Sequence, residues 1–103
     1  MKYRVIVSPE AFEELDGFIH YIANDQHSPL VALRWLKKAL AALQTLQTFP
    51  HRCPPAPENE FSQYTIRMLV VDRCLFLYRV DEENQTVRVL RFRHGSQLPY
   101  QLD

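Results

Sequence analysis

The fold turns on residues 63–93, QYTIRMLVVDRCLFLYRVDEENQTVRVLRFR. Three apolar runs lie in it, QYTIRMLVV (63–71), CLFLYRV (74–80) and TVRVLRFR (86–93), all rich in Val, Leu, Phe and Tyr. Asp72-Arg73 and the acidic DEENQ (81–85) separate them, and both are short enough for hairpin turns. The spacing therefore predicts three consecutive antiparallel strands. In the last run the apolar residues do not keep one parity. Val87 and Val89 fall on one face, Leu90 and Phe92 on the other, as expected for a central strand or for a bulge near Leu90.

Working back toward the N-terminus, KYRVIV (2–7) alternates Tyr3, Val5 and Val7 with Lys2 and Arg4, the pattern of a half-buried strand. Ser8-Pro9-Glu10 then opens a helix. Ser8 can accept a backbone N–H as N-cap, Pro9 suits the first helical position, and Glu10 meets the positive end of the dipole. Ala11, Leu15, Phe18, Ile19 and Ile22 recur at helical spacing, with Glu13, Glu14 and Asp16 largely off that stripe as a solvated face. Ser28-Pro29 repeats the device after NDQH (24–27) and predicts a second helix to about Phe49, with Leu33, Leu36, Leu40, Leu43 and Leu46 as one apolar ridge. Two amphipathic helices on a short loop form a hairpin. HRCPPAPENE (51–60), preceded by Pro50, is too proline-rich for helix or central strand and predicts a stiff extended connector.

The expected architecture is α+β, in the order β-α-α-β-β-β: an antiparallel sheet covered on one face by a two-helix hairpin. It forms a single domain over residues 1–103. A length of 103 residues suits one core and leaves little room for a second. With 47% hydrophobic and 23% charged residues, the composition is that of a soluble globular protein. The N-terminus has no signal-peptide pattern and no stretch has the length of a membrane span, so the expected location is cytoplasmic, with no membrane partner. Cys53 and Cys74 are too few for a disulfide framework and read as free thiols in a reducing compartment.

Composition also excludes functions. Two glycines, Gly17 and Gly95, cannot build a Gly-rich phosphate cradle, and a net charge of +0 argues against coating nucleic acid by bulk charge. The charge is nevertheless segregated. Residues 1–28 set Lys2 and Arg4 against Glu10, Glu13, Glu14, Asp16 and Asp25. Residues 61–94 set Arg67, Arg73, Arg79, Arg88, Arg91 and Arg93 against Asp72, Asp81, Glu82 and Glu83.

Enzyme templates fit poorly. His51-Arg52-Cys53 supplies two metal donors beside prolines that limit convergence, so no metal and no cofactor are expected. Cys74 opens an apolar strand, which favours a structural thiol over a nucleophile. His20 and His27 flank the end of the first helix in capping or surface positions. The arginines of the sheet remain, since guanidinium forks bind phosphate or carboxylate bidentately. Arg67 and Arg91 would converge if the register allowed; otherwise these side chains lie over the open face and pair with Asp72, Glu82 or Glu83.

Four pieces in order, YRVIVSPEAFEELDGFIHYIA (3–23), LQTLQTFP (43–50), YTIRMLVVDRCLFLYRVDEE (64–83) and TVRVLRFRHGSQ (86–97), resemble the RelE/ParE superfamily of bacterial toxins, and its ParE branch more closely. The resemblance implies a toxin held inactive by a cognate antitoxin, whose flexible segment folds around it, in a module that stabilises plasmids or acts in stress. ParE-like members poison DNA gyrase, whereas RelE-like members cut mRNA on the ribosome. Compared with the RelE-like branch, Thr65 stands where Lys is frequent, Arg67 matches a basic position, and Arg73 or Cys74 falls where an essential Arg would lie. Arg93-His94 is all that remains of a basic run, with Tyr100 nearby behind Pro99.

Cleavage would then rest on arginines for transition-state stabilisation and on His94 or Tyr100 as base. The expectation is a non-enzymatic gyrase inhibitor, with Arg67, Arg73, Arg91, Arg93 and His94 as candidate contacts for target or antitoxin. The alternative is a ribosome-dependent endoribonuclease using Arg67, Arg73, Arg91 and His94. Where ParE-like sequences often carry His-Gly-Arg-Arg, this chain has His94-Gly95-Ser96-Gln97, so a third reading is a non-toxic domain that only binds antitoxin.

Overall fold

A computed structural model of the chain describes residues 2–25, 27–61 and 64–95. Ser8 caps the first helix as its sequence predicts, its side-chain oxygen accepting the Ala11 N–H at 3.1 Å with Pro9 in the first turn. This helix, α1 (Pro9–His20), follows strand β1 (Arg4–Val7) and runs into a π-helical turn at Tyr21–Asp25. Ala11 and Leu15 are buried, with Phe18 and Ile19 packed against the same core. The second Ser-Pro pair starts α2 (Pro29–Gln44) without a side-chain cap bond. Ser28 sits at ψ 67° rather than the extended ψ of 157° that lets Ser8 reach back.

The leucine ridge expected on α2 is split. Leu43 and Leu46 are buried, but Leu33 and Leu40 are each 48% exposed, and Ala32 and Ala39 take the inward positions. Trp35 sets this rotation. Its ring packs edge-on against Phe18 at 4.9 Å and Phe92 at 5.7 Å between centroids, and small residues flank it where α2 approaches the core. α2 ends earlier than predicted, passing through a tight turn at Thr45–Gln47, and Phe49 turns the chain with φ 49°.

Strands β2 (Arg67–Val71), β3 (Cys74–Asp81) and β4 (Thr86–His94) complete a four-stranded sheet in the order β1-β4-β3-β2. The β2/β3 and β3/β4 pairs are antiparallel, as the hairpin turns require. β1 instead pairs parallel to β4, so the sheet is mixed rather than antiparallel throughout. The chain between them runs through both helices, the connector, β2 and β3, long enough to bring β4 back parallel to β1. Both readings of the last strand hold at once. β4 lies inside the sheet, and the pairing steps from Leu77↔Arg91 to Tyr78↔Val89, leaving Leu90 as the extra residue of a bulge. The bulge explains the parity break. Val87, Val89 and Phe92 all reach the helix-side core, while Leu90 packs with Met68, Leu75 and Leu77 on the other face.

The proline-rich connector is not uniformly extended. It forms 3-10 turns at Pro50–Arg52 and Pro57–Phe61, where fixed proline φ values suit a helical first residue. Between them it follows the outer edge of β2. The Ala56 N–H bonds Ile66 O at 2.8 Å and Pro54 O accepts the Met68 N–H at 3.0 Å. Prolines fit such an edge because their missing N–H groups are not needed there. Ala56 then packs with Ile66 and Leu77, so part of the second sheet face is covered too.

Candidate functional site

The arginines of the sheet divide by what holds them. β1 ends at Val7, opposite Val89, whereas β4 runs on to His94. The outer edge of β4 beyond that point is sutured by the start of α1. The Ser8 N–H bonds Val89 O at 2.9 Å, its hydroxyl donates to Leu90 O at 2.8 Å, and the Phe92 N–H donates to Glu14 Oε1 at 3.1 Å. The same Glu14 carboxylate receives Nε and Nη2 of Arg91, each at 2.9 Å. Glu14 is therefore a half-buried structural acid and not part of a solvated face. Its position three residues after Ala11 and one before Leu15, at the border of the buried stripe, was the available signal.

Arg93 is more deeply held. Its guanidinium meets both oxygens of Glu58, and the two side chains are 3% and 0% exposed. Glu58 comes from the connector and was not singled out from the sequence, because only tertiary packing brings it to β4. Arg88 bonds Asp81 across the β3–β4 hairpin, with Nε at 3.0 Å. Hydrogen bonds from Asn84, followed by the Arg88 guanidinium, hold the Asp81 carboxyl below the usual range. All three β4 arginines thus have carboxylate partners inside the protein, though not the partners expected. Asp72 pairs with Lys38 at 2.6 Å, and Glu82 with His51 at 2.8 Å and the Tyr3 hydroxyl at 2.9 Å. That bond to Glu82, with smaller effects of burial and charge, raises the Tyr3 pKa.

Arg67 and Arg79 are different. Arg67 opens β2 opposite Tyr78 and donates Nη1–H to Cys53 O at 2.8 Å. The Arg79 guanidinium lies over the Tyr64 ring, 4.4 Å from its centroid. Both line a cleft of about 210 Å³ with His51, Tyr64, Thr65 and Val80. Among the described residues no carboxylate pairs with either.

Arg73 and His94 occupy the opposite end of the sheet. Cys74 pairs with His94, and the Gly95 N–H bonds Arg73 O at 2.7 Å. A β-carbon at Gly95 would stand 3.0 Å from that oxygen, so the close approach calls for glycine. Cys74 is buried here, and burial, then the Asp72 charge, push its thiol up to about 11, which makes it a poor nucleophile near neutral pH. Arg67 stands four residues from Val71, the partner of Cys74, or roughly 13 Å along the strand. The structure therefore brings Arg73 to His94 but sets Arg67 apart, and places Arg91 and Arg93 in internal ion pairs between them. Ser96-Gln97, Pro99 and Tyr100 lie outside the described residues.

Among the described residues no group of three or more His, Cys, Asp or Glu is arranged to hold a metal ion, and no helix is long and apolar enough to cross a membrane. Both cysteines are free and buried.

Comparison with solved structures finds the same fold in toxin–antitoxin complexes. The chromosomal ParDE system of P. aeruginosa superposes with a TM-score of 0.68 at 18% identity, over 90% of this chain and 96% of that one. The RelBE2 toxin–antitoxin complex of Mycobacterium tuberculosis gives 0.60 at 20% identity, over 91% and 99%. The archaeal RelE–RelB complex of Pyrococcus horikoshii gives 0.58 at 14%, over 95% and 100%. Comparison with curated protein sequences gives no significant match. The family model for the ParE toxin of type II toxin–antitoxin systems, parDE, matches residues 5–99. That match spans the helical hairpin, the connector and all three C-terminal strands, and the chain belongs to the ParE toxin family.

Proposed function

We propose that this toxin is neutralised by a cognate antitoxin and inhibits DNA gyrase by contact, acting in the cytoplasm within a plasmid-stabilising module and without cleaving RNA. The observation that carries the non-enzymatic reading is the disposition of the arginines. Arg91 is committed to Glu14, Arg93 to Glu58, and Arg67 stands at the other end of β2 from Arg73 and His94. A phosphodiester cleavage site needs cations and a base converging within hydrogen-bond reach of one reacting centre. Direct contact with a protein target needs only a surface.

Support for an antitoxin comes from the helical hairpin. Phe12, Leu30, Val31, Leu33 and Leu40 are exposed on α1 and α2. An open groove of about 460 Å³ lies where the end of α1 meets the start of α2, lined by Phe18, Tyr21, Ile22, Ser28 and Val31. An amphipathic segment laid into such a groove buries apolar area on both partners.

Expression of the chain alone tests the choice of chemistry. Growth arrest with intact mRNA, relieved by co-expression of the small reading frame beside its gene, is the expected result. Fragmented mRNA that becomes intact on Arg67→Ala or His94→Ala would establish the ribonuclease reading instead. Normal growth despite tight antitoxin binding would identify a domain that only sequesters antitoxin.

A further inference from the structure

Phe49 is the most exposed large apolar side chain among the described residues, at 82%, and it stands on a left-handed backbone with φ 49°. A residue with a β-carbon is disfavoured there, and an exposed ring gains nothing from burial, so a single copy of the chain has no packing use for it. The turn that carries it is nevertheless firmly held. The Arg52 guanidinium donates to Thr45 O and Thr48 O, each at 3.1 Å, and to Phe49 O at 3.3 Å, while the Tyr78 hydroxyl donates to Pro50 O. Beside the ring opens a cavity of about 440 Å³, lined by Tyr3, Thr48, Phe49, Pro50, His51 and Gln85. The Tyr3 and His51 rings meet edge-on there, 6.4 Å between centroids. A protruding ring and an aromatic hollow thus share one patch. We propose that two copies of the chain pair through it, the Phe49 ring of each entering the cavity of the other.

A two-fold interface requires self-complementarity, since one surface must serve as both halves. With Phe49 beside its own cavity, the two rings come together near the axis, where offset or edge-to-face contact is favourable. A turn that is already fixed also loses little freedom on association. The charges around the patch fit the same symmetry. Lys2 precedes Tyr3, and Glu83 follows Glu82, whose carboxylate bonds the Tyr3 hydroxyl and His51. Lys2 and Glu83 are both exposed, and among the described residues neither forms an ion pair. The two-fold operation sets Lys2 of each copy toward Glu83 of the other, which fixes orientation more than it adds affinity. The apolar groove of the helical hairpin lies at the start of α2, whereas Phe49 follows its end. The 16 residues of α2 separate the two by roughly 24 Å, so pairing leaves that groove open. The inference depends on neither the antitoxin nor the gyrase reading.

Sedimentation velocity of the full purified chain over a concentration series is the experiment. The mass should rise with concentration from one chain of 12.2 kDa toward two. Phe49→Gly should weaken pairing by about tenfold or more, while circular dichroism in dilute solution shows it as folded as the parent. Leu33→Ser, on the exposed side of α2, should pair as the parent does. Lys2→Glu should weaken pairing, and adding Glu83→Lys to it should restore the parent affinity, a rescue that follows only if the two residues meet across the interface. A parent that keeps the mass of one chain throughout the series overturns the proposal. So does a folded Phe49→Gly variant that pairs as the parent does, or pairing that is lost on Leu33→Ser instead, which would place the contact on the helical hairpin. Either result leaves the gyrase reading as it stands.

Discussion

Glu14 and Arg91 form a two-pronged ion pair in which the same carboxylate also accepts the Phe92 N–H. The relationship joins the first helix to the inner strand at the place where β1 has ended and a bulge has interrupted the ladder. An unpaired strand edge exposes backbone donors and acceptors that water or another chain would otherwise satisfy. Here a side chain from α1 takes the place that a continuation of β1 beyond Ser8 would have filled.

Glu14→Ala should therefore destabilise the fold by about 2–3 kcal/mol, since it strands a half-buried guanidinium and a backbone N–H together. Glu14→Gln keeps an acceptor for Phe92 and should cost less. Urea unfolding followed by circular dichroism measures both, and equal losses would show that the Phe92 bond contributes nothing.

The buried Arg93–Glu58 pair should be more sensitive to removal of one partner than of both. Glu58→Ala alone should cost about 3–5 kcal/mol, because it leaves Arg93 charged and buried. The double variant Glu58→Leu, Arg93→Met should recover much of that loss. A double-mutant cycle in urea gives the coupling, and additive losses would contradict it.

Phe49 holds φ 49° while 82% exposed, so it combines a left-handed backbone with little packing. Phe49→Gly should leave stability unchanged or raise it by up to about 1 kcal/mol, despite deleting a large apolar side chain. Thermal unfolding reads the effect, and a lowered Tm would show that the ring makes contacts that matter to the fold.

The pH profile should narrow from both sides. Cys74 is raised from 9.0 to about 11, so its contribution is complete below 9.0 and lost as pH rises through about 11. Asp81 is lowered from 3.8, so its contribution is present above 3.8 and lost as pH falls below it. At fixed urea the folded fraction should drop beyond each limit. In the same preparation, iodoacetamide near neutral pH should label Cys53 and Cys74 only after unfolding, and rapid labelling of the native chain would contradict their burial.

The three C-terminal strands, the bulge at Leu90 and the Ser8 cap were legible because each rests on local chemistry: turn residues between apolar runs, a parity break, a Ser-Pro pair. The parallel pairing of β1 and the rotation of α2 were not. The parallel pairing is set by where the β2–β3–β4 hairpins leave β4 in the sheet, and the inward face of α2 by the fit of Trp35 between Phe18 and Phe92. The candidate arginines were found by residue type alone. Their partners Glu14 and Glu58 lie 77 and 35 residues away, beyond any spacing rule, and those partners distinguish a structural guanidinium from one left to meet a ligand.

If this toxin inhibits gyrase by contact, supercoiling by purified DNA gyrase should fall when the purified chain is added. The expected result is a dose-dependent loss of supercoiling that the cognate antitoxin reverses, with RNA in the same reaction left intact. Full supercoiling activity at saturating toxin, with mRNA cut when translating ribosomes are supplied, would contradict it.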